Sequence, residues 1–367
     1  MEHKIFVSPA PHIHDHTSVP YVMWQVVIAL VPALIAAVFF FGIQALLLTL
    51  YGAAAAMATE ALIQKFRRIP VSVADGSAFL TGMLVAFNIN AGSPWWFPIM
   101  GSIFAIAVGK QVFGGLGNNP VNPALLGRAF LMASWPTLIT SGWVKPKLGL
   151  TSGLNPDLIW TNLQSAAPKA YQLVTSATPL NVLKTLRDTT FVNSIAANPT
   201  DNSQIANNIY QQLCSGTCLN NAFWGNIGGC LGEVSVFALL IGAAYLLWKN
   251  IIEWRIPFFY IVTVFVMTAL FGGVSGLDSG SLLLPVFSMF TGGLILGAFF
   301  MATDYCTSPI TKTGRIIFAI GCGLLTFVIR LRGGFPEGVC YSILIMNVFT
   351  PLIDRFTIPR AFGEVRK

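Results

Sequence analysis

Charge is scarce in this chain: Asp, Glu, Lys and Arg together make up 10% of its 367 residues. So little charge cannot clothe a water-soluble globule of this length. Histidine is scarcer still, with four residues, His3, His12, His14 and His16, all within the first sixteen. The rest of the chain therefore has no imidazole for haem ligation, proton relay or general-base catalysis. In an extended tail His12, His14 and His16 would project to one side, as a metal site could use; a solvated or partner-docked tail is the competing reading. The six cysteines form no short-spaced iron–sulfur or zinc motif. Cys214 and Cys218 share one polar stretch and suit a bridge in an oxidising compartment, whereas Cys230, Cys306, Cys322 and Cys340 are scattered. No cleavable signal is visible, because the first apolar run begins near Tyr21, behind a polar tail, without a small-residue cleavage site. A dinucleotide fingerprint is absent too: Gly115-x-Gly117-x-x-Pro120 lacks its third glycine, and no strand precedes it.

What is present is apolar: 54% hydrophobic residues including 28 Phe, together with 34 Gly, and a mean hydropathy of +0.70. This composition defines an integral membrane protein. Long unbroken runs such as Val26 to Phe41 exclude the alternating pattern of a membrane barrel, leaving an all-α polytopic bundle. With roughly 20 apolar residues needed per crossing, the chain offers about ten spans. They are expected near 21–41, 44–62, 76–90, 94–112, 123–140, 223–248, 256–276, 281–300, 314–329 and 337–353. Lys65, Arg67 and Arg68, then Lys249 and Arg255, then Lys312 and Arg315 fall after the second, sixth and eighth spans. Basic residues collect on the cytoplasmic side, so both termini are expected inside. The formal net charge of +7 is then a topology signal and not the footprint of a nucleic-acid partner.

The expected organisation is an N-terminal cytoplasmic tail (1–20), a first bundle half (21–140), a long polar connection facing outward (141–222), a second bundle half (223–353) and a cytoplasmic tail (354–367). Phe79-Leu80-Thr81-Gly82-Met83-Leu84 is echoed by Met289-Phe290-Thr291-Gly292-Gly293-Leu294, and Gly114-Gly115-Leu116 by Gly333-Gly334-Phe335. These echoes predict an inverted repeat with binding sites near the midplane; common small-residue packing of membrane helices is the plainer reading. Thr178 stands in the long connection before Pro179, Leu180 and Leu183, and by spacing alone is the N-cap of a short helix. A helix N-terminus is also a favourable place for a phosphate.

Ionisable residues in or beside spans are functional candidates, because a charge at the bilayer centre costs at least about 2.5 kcal/mol. Arg128, Glu233, Asp304 and Glu337 are such residues. Arg128 and Glu233 read either as parts of an ion or electron path, or as a structural pair or side chains snorkelling to the interface. Asp304 reads equally as a cap. Trp95, Trp96, Trp135 and Trp248 fall near span ends and are expected as interfacial anchors. Asn118, Asn119 and Asn122 fit an irregular, cavity-lining connection.

Several segments together resemble one family: Ser8-Pro9, Ala74-Asp75-Gly76-Ser77, Phe113 to Ala124 (FGGLGNNPVNPA), Met301-Ala302-Thr303-Asp304, Pro336-Glu337-Gly338-Val339 and Met346-Asn347…Pro351-Leu352-Ile353-Asp354. The chain resembles the D subunits of Rnf complexes, the ion-translocating ferredoxin:NAD oxidoreductases. It is more distantly similar to the B subunits of sodium-translocating NADH:quinone oxidoreductases. The resemblance implies a protein that is not active alone, seated in the cytoplasmic (inner) membrane of a prokaryote with the other subunits of its complex. It also implies FMN, joined through its phosphate to the last threonine of a Ser/Thr-x-Ala-Thr motif by a separate flavin transferase. Thr175-Ser176-Ala177-Thr178 matches that core, so Thr178 is the implied acceptor. The fuller motif has Gly and Asp where this chain has Ser176 and Gln172. A second, non-covalent flavin such as riboflavin is allowed by the resemblance, and Na⁺ or H⁺ is the implied ion. The alternative is a flavin-free channel or carrier for a small solute, resembling urea transporters.

Overall fold

The computed structural model describes residues 17–141, 180, 183–184, 215–225, 228–272, 282–333 and 337–358. Thr178, Cys214 and the four histidines lie outside these residues, as does most of the 141–222 connection. The described part is all-α: α1 (Val19–Phe41), α2 (Ile43–Phe66), α3 (Ser77–Phe87), α4 (Trp96–Ile106), α5 (Pro123–Ser134), α6 (Pro136–Ser141), α7 (Gly216–Trp224), α8 (Val236–Trp248), α9 (Arg255–Phe271), α10 (Leu283–Phe290), α11 (Leu294–Met301), α12 (Lys312–Arg332) and α13 (Val339–Thr357).

Among the described residues, four helices, α1, α2, α12 and α13, are long and apolar enough to cross a membrane, and α10 with α11 makes a fifth candidate bent by 62°. Many large apolar side chains point outward, Ile35, Leu62, Phe66 and Leu270 among them, while Glu60, Lys110, Arg128, Arg330 and Glu337 are buried. That inside-out distribution suits a bundle whose solvent is lipid.

Several of the other expected spans are broken, each for a local reason. The expected 76–90 span is an 11-residue helix ending at Asn88, and an α-helix of that length rises only about 16 Å. The expected 123–140 span divides at Trp135, because the residue before Pro136 is pushed out of the helical region. The expected 223–248 span divides between α7 and α8, where Gly225 takes φ +114°. The expected 281–300 span divides at Gly292 and Gly293, both left-handed at φ +69° and +67°. A helix that stops inside a bundle leaves backbone groups without partners, and buried side chains must meet them.

Packing order runs the same way in both halves. α2 packs on α3 and α4, and α4 on α5; α9 packs on α10 and α12, and α12 on α13. The halves meet where α1 packs on α8 and α5 on α13. Small residues permit the tight crossings: a Cβ on Gly52 of α2 would lie 2.8 Å from Gly82 O of α3. Of the four tryptophans expected as interfacial anchors, Trp95 and Trp248 are exposed. Trp96 and Trp135 instead pack edge to face, with centroids 5.3 Å apart.

Candidate functional site: a polar core between the two halves

The ends of the broken helices converge on one buried polar cluster. Asn88 closes α3 and donates from Nδ2 to Leu84 O at 2.6 Å. Asn90 donates to Leu138 O (2.9 Å) and Ile139 O (3.2 Å), tying the same break to α6. Ile89 O accepts from Leu231 N at 2.9 Å, and Asn90 forms an isolated antiparallel bridge with Cys230. The break after α3 is thus stitched to the break before α8.

Arg128, on α5 behind the Asn122–Pro123 start, reaches into this junction. Asn122 caps α5 by accepting from Ala124 N (3.0 Å) and Leu125 N (3.3 Å). The Arg128 guanidinium donates to Asn88 Oδ1 at 2.7 Å, lies 3.8 Å from Cys230 Sγ and pairs with the Glu337 carboxylate. Glu337 stands just before Gly338, whose φ of +68° starts α13. Both partners are buried. The sequence names no partner for Arg128; the structure gives a direct ion pair to Glu337 and places Glu233 beside it. Ligand atoms of Cys230, Glu233 and Glu337 lie within 4.8 Å of one another, a spacing that a small cation needs. Arg128 already supplies positive charge to that donor set.

Arg330, near the end of α12, serves the second break. It donates to Ser288 O (2.6 Å), Thr291 O (3.0 Å), Gly292 O (3.2 Å) and Glu337 O (3.0 Å). Four carbonyls converge on one planar fork, which an ammonium could not match. A Cβ on Gly293 would meet Glu233 Oε1 at 2.6 Å, so Glu233 lies directly against the break.

A second cluster joins α2 to the π turn Ala107–Gln111 that ends α4. Glu60 pairs with Lys110 at 2.7 Å and accepts from Gln111 Nε2 (2.8 Å) and Gln64 Nε2 (3.3 Å). Lys110 also donates to Ser77 Oγ at 2.6 Å, and Ser77 donates to Asp75 Oδ1. The sequence reading singled out neither Glu60 nor Lys110, nor Arg330. The signal was available for the first two, because both fall inside expected spans, where a charge needs a partner.

Beside this cluster a cleft is lined by Ser77, Lys110, Asn119, Asn122, Asp304 and Tyr305, with Val26, Leu84 and Phe300 among its apolar walls. Asn119 Oδ1 is buried there without a donor. Asn122 Nδ2 donates across the halves to Met301 O at 3.2 Å. With its amide oxygen turned to Asn122 N (3.1 Å), Asn347 donates to Thr307 O at 3.2 Å. Motifs lying far apart in sequence therefore meet at one place. Asp304 acts as a turn cap, accepting from Thr307 Oγ1 (3.2 Å) and Cys306 N (3.5 Å). Desolvation pushes its carboxyl above the usual range, and those two hydrogen bonds partly oppose the shift.

The family described as NQR2, RnfD, RnfE matches the chain over residues 6–363. The chain is 45% identical over 365 residues to the D subunit of the Na⁺-translocating ferredoxin:NAD⁺ oxidoreductase complex of Acetobacterium woodii, covering 100% of this chain and 97% of that one. It is 42% identical over 360 residues to the D subunit of the proton-translocating ferredoxin:NAD⁺ oxidoreductase complex of Clostridium ljungdahlii, covering 98% and 96%. With the D subunit of the ion-translocating oxidoreductase complex of Stutzerimonas stutzeri it shares 39% over 349 residues, covering 95% and 93%.

Proposed function

The chain belongs to the NQR2, RnfD, RnfE family, and on that premise we propose that it is the D-type membrane subunit of an ion-translocating ferredoxin:NAD oxidoreductase. The observation that carries this reading is the similarity to subunits so named over nearly the whole length of both chains. It sits in the cytoplasmic membrane of a prokaryote, with both termini inside and residues 141–222 outside. It works only with the other subunits, since neither an NADH fingerprint nor a ferredoxin-type cysteine cluster is present in the sequence. Nothing specific favours the solute-channel alternative.

In this reading Thr178 carries FMN, attached through its phosphate by a flavin transferase, and the support is the Thr175-Ser176-Ala177-Thr178 motif. The group, when bound, supplies electron transfer on the outer side. The transported ion is Na⁺ or H⁺; two relatives of nearly equal identity are named for different ions. A non-covalent flavin is assigned to the cleft beside Lys110. Its apolar walls suit the faces of an aromatic ring system, and the unpartnered Asn119 Oδ1 suits a ring N–H. This chain's own residues would orient and desolvate the ring there, beside the Lys110–Glu60 pair.

The deciding experiment is intact-mass and in-gel fluorescence measurement of the chain co-expressed with its transferase, comparing wild type with Thr178→Val. A fluorescent FMN adduct on wild type that is lost in the variant supports the reading. A wild-type chain with no adduct removes the covalent flavin from it.

A further inference from the structure

Within the long connection the structure describes Leu180, Leu183 and Lys184 ahead of α7, and the two leucines are buried, at 6% and 3% exposure. Residues three apart share a helical face. In a stretch rich in Asn, Gln, Ser and Thr, two leucines so thoroughly covered need a receptor, and the helix break of the second half provides one of mixed lining, with Val234, Phe290 and Phe327 as its apolar walls. Leu180 lies over Gly292: a Cβ on that glycine would stand 2.7 Å from Leu180 Cδ2 and 2.8 Å from Arg330 Nη2. Leu183 shares a cavity with Thr268, Ser288, Phe327 and Arg330. On its other side Leu180 borders a small cavity with Glu233, Thr291 and Glu337. The leucines thus rest on the backbone whose carbonyls Arg330 gathers.

We propose that Leu180 and Leu183 are an anchor that docks the middle of the 141–222 connection onto a socket formed by Gly292 and Arg330. They are positioning residues for the group that the neighbouring threonine carries, and this consequence rests on the reading of Thr178 as the flavin acceptor. Thr178 precedes Leu180 by two residues, a chain reach of at most about 7 Å. Anchoring Leu180 limits, by chain length alone, how far a group on Thr178 can travel from the broken helix; releasing it removes that limit. The socket also accounts for glycine at 292, since any side chain there would occupy the place of Leu180.

The test uses the assembled complex, with the Leu180→Ala/Leu183→Ala double variant on the anchor side and Gly292→Val on the socket side. Three quantities are read: the covalent FMN mass, the fluorescence anisotropy of that FMN, and the rate of trypsin cleavage after Lys184. Both variants should keep the FMN mass, lose anisotropy and be cut roughly tenfold faster or more, because local opening governs cleavage. Adduct-bearing variants with wild-type anisotropy and wild-type cleavage overturn the anchor. If wild type bears no adduct, the Thr178 reading fails, and cleavage alone decides the anchor: faster cutting in the variants upholds it and equal cutting overturns it.

Discussion

The Arg128 guanidinium and the Glu337 carboxylate form a buried ion pair that joins α5 of the first half to the start of α13 in the second. Arg128 also holds Asn88 at the end of α3, while the backbone carbonyl of Glu337 is held by Arg330. One pair therefore links the broken helices of both halves.

Removing one member of this pair strands a charge away from water, which typically costs about 3–5 kcal/mol. Arg128→Leu and Glu337→Gln should each lower the thermal midpoint of the purified complex markedly. The Arg128→Leu/Glu337→Leu double variant should recover much of the loss. Single variants that melt with wild type would show that the pair carries no such burden.

Arg330→Lys keeps the charge and loses the fork. An ammonium has three donors against four carbonyls spread along the break. Leaving one or two buried carbonyls unmet should cost about 1–3 kcal/mol each, read as a lower melting temperature and faster hydrogen exchange at 288–293. Unchanged exchange there would mean that water or neighbouring backbone meets those carbonyls instead.

Gly52→Val should loosen the α2–α3 crossing, since its Cβ alone would approach Gly82 O to 2.8 Å. Overpacking of this kind costs about 1–3 kcal/mol. The effect should appear as reduced yield and thermal stability of the complex, with Gly52→Ala milder. Equal stability of all three proteins would count against a close-packed crossing.

Asn119→Leu should release the non-covalent flavin while leaving the covalent one. Flavin extracted after acid precipitation should fall severalfold, and the fluorescent band of the chain on a denaturing gel should persist. Full retention of extractable flavin would move that site away from the cleft.

Apolar runs and the scarcity of charge dictated a helical membrane chain, because lipid accepts no unpaired backbone and such runs lack the alternation of a barrel. One helix start was legible to the residue, Pro123 behind Asn122, whereas α1 begins at Val19, ahead of the expected 21, and the Ser235-capped start of α8 fell inside an expected span. The breaks were not legible as breaks. Gly292-Gly293, Trp135-Pro136 and Asn88 looked like tolerated interruptions of full-length spans, and only packing decided that the chain would turn there.

Arg128, Glu233, Asp304 and Glu337 were recognisable as candidates from their place among apolar residues, but the partner of Arg128 lay far off in sequence. Arg128 meets Glu337 across more than two hundred residues, and Arg330 gathers carbonyls from a helix end that the sequence showed as continuous. By itself the sequence determined the class of protein and, through its motifs, the family resemblance. Only the tertiary structure decided which buried charges neutralise one another, because in a bundle surrounded by lipid each broken helix end and each charge must take whatever partner the packing of the two halves brings within reach.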